Sequence, residues 1–296
     1  MQHRTAVSTV VSALCGVLAL ALPAQAASAD QAGHIIVFGH RGASAYAPEN
    51  TLSSVEQAAE LGVDWVENDV QRTRDGRLVV IHDTTLDRTT NVKERYPDRA
   101  PWSVSSFSLA EIKQLDAGSW FGPDFRGERV PTLEEYLDLL DDTGQGLLLE
   151  LKQPELYPGI ERQTLEVLAR ADWLDLPHLS GRLVVQSFSA PALRTTHRLR
   201  PDVHTGFLGN PPVSQLKQYA AFTDEINAEQ HSVTAAYVKA VHGMKGAHGE
   251  PMHINTWTVD NAPAATKLAR MGVDGIITDR PDLIAIATRP RTSQPS

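Results

Sequence analysis

Short apolar runs recur along this chain of 296 residues, and segments with helical spacing fill most of the intervals between them. The runs are His34–Phe38, Trp65–Val70, Leu147–Leu151, Leu183–Gln186, Thr205–Leu208, Glu225–Ala228, His253–Trp257 and Gly275–Ile277. Helical spacing marks Leu52–Leu61, Leu133–Leu140, Ile160–Ala169 and Ala264–Met271. Start signals agree with it. Thr132-x-x-Glu135 forms a capping box, and Pro263 falls in the first turn after Asp260-Asn261. Strands that alternate with helices build a parallel sheet with crossover helices, and eight such units close into a (β/α)8 barrel. An open doubly wound sheet is the competing arrangement.

One stretch breaks the beat. Leu78–Ile81 adds a strand-like run, and Arg88 to Pro131 is long, polar and dotted with Trp, Phe and Gly. Ser108-x-x-Glu111 opens a short helix there, read as Leu109 to Leu115. The stretch 88–131 reads as an insertion at one barrel rim, too small for a core of its own. Residues 290–296 read as a disordered tail, which leaves 30–289 for the barrel.

The N-terminus reads as a secretory signal peptide over 1–29. His3 and Arg4 precede an apolar run from Val10 to Leu22, and Ala24-Gln25-Ala26 supplies a small-residue cleavage pattern. That run is too short to span a bilayer comfortably, so a secreted protein without a stable membrane anchor is expected. The only cysteine, Cys15, lies inside the run, so the processed protein has none and depends on packing, not disulfides. Removing the leader's one arginine leaves 26 Lys+Arg against 36 Asp+Glu, a net charge of about −10. That balance argues against nucleic acid or an anionic membrane as a partner. A small anionic substrate remains compatible, because charges at a site outweigh net charge at short range. A monomer or weak dimer is expected.

Working residues of parallel barrels lie at the C-terminal ends of the strands. Five places there are chemically loaded. His40-Arg41 follows the first run between Gly39 and Gly42; an imidazole exchanges protons near neutral pH, and a guanidinium forks onto phosphate oxygens. Glu67 and Asp69 share one face of the second run, and two close carboxylates repel unless a cation or proton lies between them. A hard divalent cation suits them, and an Arg or Lys partner is the plainer alternative. His82 follows the additional strand and offers a second proton-transfer group, with Asp83 placed to orient it or to bond the next turn. Glu150 and Lys152 share a face at the end of the third run, adding a carboxylate and an ammonium that calls for an anion or a simple pair with Glu150. Trp257 ends the seventh run as a pocket wall or as packing. Asp279 reads as a helix cap rather than a catalyst. His242, His248 and His253 sit in or beside a helix-to-strand connection, on the opposite face, and their spacing matches no metal pattern, so a solvated loop is expected.

Taken in order, His40-Arg41-Gly42, Pro48-Glu49-Asn50-Thr51, Glu67-x-Asp69, His82-Asp83, Glu150-x-Lys152, Trp257-Thr258-Val259 and Gly275-Ile276-Ile277-Thr278-Asp279 resemble the glycerophosphodiester phosphodiesterase family. The resemblance implies a barrel of the phospholipase C-like phosphodiesterase type. It implies His40 and His82 as general acid and base, and Glu67, Asp69 and Glu150 as ligands of one divalent ion, Ca²⁺ first and Mg²⁺ as the alternative. It also implies Arg41 and Lys152 on the phosphate of a small phosphodiester, with Trp257 by the glycerol or headgroup. Products are then glycerol 3-phosphate and an alcohol such as choline or ethanolamine; the attacker is water or the substrate's own 2-hydroxyl. Two other readings stay open: a lysophospholipase D or sphingomyelinase D-like enzyme on lipids, and a non-catalytic phosphoester-binding protein.

Overall fold

The apolar runs do become strands, and they pair in parallel around a closed ring. The computed structural model describes residues 35–289, so His34, the expected signal peptide and the tail 290–296 lie outside the described residues. The strands are β1 (Ile36–Gly39), β2 (Trp65–Arg72), β3 (Leu78–Val80), β4 (Gly146–Leu151), β5 (Leu183–Ser187), β6 (His204–Leu208), β7 (Glu225–Glu229), β8 (His253–Trp257) and β9 (Gly275–Thr278). The order β1-β9-β8-β7-β6-β5-β4-β2 closes through parallel pairing of β1 with β2, which excludes an open sheet. Among the described strands only β3 is antiparallel; it hangs on β2 with Val70 opposite Val80. The (β/α)8 barrel expected from the sequence is the fold.

Helices cover the outside: α1 (Leu52–Glu60), α2 (Leu133–Thr143), α3 (Ile160–Arg170), α4 (Ala190–Leu199), α5 (Ala235–His242), α6 (Ala262–Met271) and α7 (Pro281–Thr288). In α2 the Thr132 hydroxyl accepts from Glu135 N at 3.1 Å, and Glu135 Oε2 accepts from Thr132 N at 2.8 Å. Leu133, Tyr136, Leu137 and Leu140 recur on one face and are buried against the barrel. Removing one such leucine, as in Leu140→Ala, costs roughly 2–5 kcal/mol through lost burial and the cavity left behind. The helix stops at Gly144, which takes a φ of 74° that a side chain would resist.

The insertion packs against the antiparallel strand that precedes it. Leu86, Val92, Val104, Phe107, Ile112, Leu115, Ala117 and Val130 are all buried together with Val79 and Ile81. The segment shares a small core with β3 and the turn after it, rather than closing one of its own. Its helix is Leu109–Ile112, shorter than expected, and Leu115 reaches the cluster from the turn that follows.

Side-chain alternation decides what fills the barrel. Phe38, Leu148, Val184 and Ile277 form an apolar group inside, in contact with Trp65 and Trp257. Two residues along each strand, toward its C-terminal end, the same inward rows carry polar groups: Glu67, Glu150 and Gln186. The apolar layer therefore supports a polar layer at the mouth.

Candidate active site

Glu67, Asp69 and Glu150 point inward from two neighbouring strands, with Asp69 directly opposite Glu150 in the ladder. One oxygen of each carboxylate lies within 4.8 Å of the others, and all three residues are buried. Burial, with repulsion from Asp69 and Glu150, pushes the Glu67 pKa well above the carboxylate range. Burial and Asp69 likewise raise Glu150, to about 8. Asp69 differs: burial disfavours its charge, but Lys152, Arg41 and an amide hydrogen bond from Asn50 hold its pKa below normal. Such an all-oxygen cluster, short of positive charge, fits a hard divalent cation.

Two cations stand beside it. Lys152 Nζ lies 2.9 Å from Glu150 Oε1 and 3.4 Å from Asp69 Oδ1. Burial works against its charge, yet Asp69, Glu150 and Glu67 together outweigh that and raise its pKa. The Arg41 backbone N donates to Glu67 Oε2 at 3.0 Å, its Nη1 donates to Glu49 Oε1 at 2.8 Å, and its Nε lies 3.3 Å from Asp69 Oδ2. The plain ion-pair reading thus holds for Asp69 and Glu150, while burial keeps Glu67 and Glu150 undercompensated, an arrangement open to a further cation.

Backbone strain collects at the same loops. Arg41, Asn50 and Gln153 have φ of 55°, 59° and 39°, in the left-handed region that side chains disfavour. Gly42 follows with a φ of 85°, and a Cβ there would meet the Ser54 hydroxyl at 2.4 Å, so only glycine lets the turn sit against α1.

His40 and His82 reach the mouth from β1 and from the end of β3. Each is oriented by a carboxylate: His40 Nδ1 lies 2.6 Å from Asp279 Oδ1, and His82 Nδ1 lies 2.6 Å from Asp83 Oδ1. Asp83 accepts in turn from Arg88 Nε and Nη2, and Arg88 Nη1 and Nη2 donate to Glu49 at 2.7 and 2.8 Å. Burial lowers the His82 pKa, opposed by Asp69 and helped by Arg41 and Lys152. Gln71 Nε2 donates to the carbonyls of Ile81 and His82 and fixes that loop.

His40, Arg41, Glu67, His82, Glu150, Lys152 and Trp257 all line one open cleft of about 120 Å³, with Asp69 just beneath it. Trp257 Nε1 donates to the Asn227 carbonyl at 2.8 Å, and its ring meets Phe188 edge to face at 5.7 Å. All eight residues singled out in the sequence are brought together here.

Several other residues enter the site in roles the sequence did not assign them. Asp279 corrects its reading as a helix cap: α7 begins after Arg280, no side chain caps it, and Asp279 instead holds His40 and accepts from Ser44 Oγ at 2.8 Å. Glu49, Asn50 and Arg88 tie the loops together. Phe188 continues the inward row of Val184 and Gln186, a signal that alternation could have yielded. Gln186 Nε2 donates to Glu67 Oε1 at 3.2 Å and starts a buried amide chain. Asn227 Nδ2 donates to Gln186 Oε1 at 2.8 Å, and Asn255 Nδ2 donates at 3.0 Å to both Asn227 Oδ1 and Glu225 Oε2.

Residues 40–283 match the model of the Glycerophosphoryl diester phosphodiesterase family. A glycerophosphodiester phosphodiesterase of Bacillus subtilis is 37% identical over 265 residues, covering 84% of this chain and 85% of the relative. One from Caldanaerobacter subterraneus is 36% identical over 251 residues, covering 84% of this chain and 96% of the relative. Among solved structures, an Oleispira antarctica phosphodiesterase in complex with the product sn-glycerol-3-phosphate superposes with a TM-score of 0.73 at 33% identity, covering 85% of this chain and 95% of that one.

Proposed function

Since the chain belongs to the glycerophosphoryl diester phosphodiesterase family, we propose that it hydrolyses small glycerophosphodiesters such as glycerophosphocholine or glycerophosphoethanolamine. Phosphodiesterase activity follows from the family; the substrates, the roles of side chains and the cation are the proposal. Its products are glycerol 3-phosphate and the free alcohol. The related Oleispira enzyme, solved with sn-glycerol-3-phosphate, supports that product.

One observation carries the reading: two imidazoles, each oriented through Nδ1 by a carboxylate, line the same cleft as the three-carboxylate cluster. With Nδ1–H donated to Asp279 or Asp83, the Nε2 of each ring is the atom free for proton transfer. One histidine removes a proton from the attacking oxygen as it bonds to phosphorus. The other protonates the departing alkoxide as the phosphorus–oxygen bond breaks. Arg41 and Lys152 supply fixed positive charge beside the phosphoryl oxygens in a site that needs no reorganisation. Glu67, Asp69 and Glu150 would hold one divalent cation, Ca²⁺ with Mg²⁺ as the alternative, and such an ion adds Lewis-acid stabilisation of the same oxygens. Trp257 and Phe188 wall the headgroup side.

The charged lining of the cleft supports a soluble diester over a lipid, and the paired histidines favour turnover over mere binding. Secretion after removal of 1–29 is part of the proposal; the N-terminal sequence of the exported protein tests it. The enzymatic reading is tested by a panel of glycerophosphodiesters and lysophospholipids with and without Ca²⁺ or Mg²⁺, followed by phosphorus NMR. A glycerol 3-phosphate signal from the soluble diesters supports it, and turnover of lysophospholipids alone rejects it.

A further inference from the structure

Three strands begin at the N-terminal end of the barrel with residues that the proposed hydrolysis leaves unused. His204 opens β6, Asp224 directly precedes β7, and His248 lies in the loop before β8. No linear spacing joins them, which is why the histidine-rich stretch from His242 to His253 reads as a plain loop in sequence. The structure brings one ligand atom from each within 4.8 Å of the others.

The loop is built around Asp224. Lys245 bridges Pro251, Gly246 N donates to the Glu250 carbonyl at 2.8 Å, and Ala247 N donates to the Thr223 carbonyl at 3.1 Å. A Cβ on Gly246 would lie 2.9 Å from the Asp224 Cα, so the glycine permits this approach. Asp224 Oδ1 accepts from His248 N at 3.0 Å and lies 2.9 Å from its Nδ1, while Oδ2 accepts from Thr205 N at 3.2 Å. The His204 and His248 rings stack with centroids 4.2 Å apart, and His248 Nε2 is buried without a hydrogen-bond partner.

We propose that His204, Asp224 and His248 form a second metal site, for a borderline divalent cation of the zinc type. Ligand atoms roughly 2.0–2.2 Å from a tetrahedral zinc stand a little over 3 Å apart, close to the spacing already set between Asp224 and His248. His204 completes the set by turning about its soft ring torsion. Two imidazoles with one carboxylate favour zinc, whereas the all-oxygen cluster at the other end favours Ca²⁺ or Mg²⁺. Burial lowers the His204 pKa, which keeps its ring in the neutral form that ligates. A cation there clasps the starts of β6 and β7 to the loop before β8, and so acts on stability, not on the reaction.

The experiment is a titration of Zn²⁺ into the metal-stripped protein, read by calorimetry and by X-ray absorption at the zinc edge. The same titration on Asp69→Asn separates this site from the carboxylate cluster. One zinc bound with imidazole in its first shell, retained in Asp69→Asn and weakened about tenfold or more in His204→Ala and His248→Ala, is the expected result. Both histidine variants keep wild-type phosphodiesterase activity, and circular dichroism with the milder His204→Asn and His248→Asn guards against misfolding. Unchanged zinc affinity in folded histidine variants, or a first shell of oxygen alone, overturns the proposal.

Discussion

His40 Nδ1 and Asp279 Oδ1 stand 2.6 Å apart although 239 positions separate them in the chain, and the contact closes the barrel's first strand onto its last. β1 and β9 are ladder partners, with Gly39 opposite Thr278, so the next residue of each strand meets the other at the mouth. Asp279 N donates to Asp260 Oδ1 at 2.8 Å, and the hydroxyl of Ser44 shares Asp279 Oδ1, so the carboxylate is fixed before it orients the ring. Its pKa lies below normal: burial opposes the charge, and His40, Ser44 and Arg41 together more than offset burial.

Asp279→Asn keeps the shape but no longer stabilises the imidazolium or enforces the Nδ1–H tautomer. Turnover should fall by roughly a hundredfold, the low end of the usual 10²–10⁴ contribution of proton transfer, with KM nearly unchanged. Steady-state kinetics on glycerophosphocholine decide it, and a wild-type kcat would show that Asp279 only packs.

Gln186 reaches Glu67 from the next inward row and is itself held by Asn227. Gln186→Leu leaves that Glu67 oxygen without its donor. Retention of the divalent cation should weaken about tenfold, the usual scale for partners of ligands, with KM for the diester less affected than the cation requirement. Activity measured against free Ca²⁺ reads the shift; an unmoved midpoint would detach Gln186 from the centre.

A cation on these carboxylates would displace protons, because burial and neighbouring carboxylates push Glu67 well up and Glu150 up to about 8. Apparent affinity should therefore rise from pH 6 toward pH 8, and calorimetry at pH 7 in buffers of different ionisation heat should report proton release. EDTA should abolish activity and added Ca²⁺ restore it. Indifference to chelation, or binding without proton release, argues against a cation on these carboxylates.

Glu225 is fully buried at the lower end of the amide chain, and burial with Asp224 and Asp274 raises its pKa to about 8. A carboxyl whose folded pKa exceeds its unfolded value favours the folded state most below the unfolded value, about 4.5, and that contribution is lost as pH rises to about 8. Glu225→Gln removes this loss while keeping an acceptor for Asn255. Its unfolding free energy relative to wild type should improve between pH 5 and 8, by up to a few kcal/mol. Denaturant melts across that range check the sign; a constant difference would mean Glu225 does not titrate there.

The barrel was legible because its strands are short, apolar and buried on both faces, and because Thr132-x-x-Glu135 announces a helix. Single residues at strand ends also announced chemistry, since Glu67, Asp69 and Glu150 are costly to bury without a purpose. What escaped was anything set by closure of the ring. Nothing beside Asp279 in the chain reveals that His40 is its neighbour. Arg88 looked like the start of a loop, and only folding brings it between Asp83 and Glu49. The core beneath the insertion is likewise set by folding: its apolar wall is lent by β3, outside the segment itself.

The central claim is that His40 and His82 divide proton transfer across one bound phosphodiester. Turnover of glycerophosphocholine, followed by phosphorus NMR for wild type, His40→Ala and His82→Ala at saturating Ca²⁺, tests it most directly. Each variant should lose roughly 10²–10⁴ in kcat while still binding the cation. Either variant turning over near the wild-type rate would contradict the assignment of that histidine, and both doing so would end the two-imidazole account.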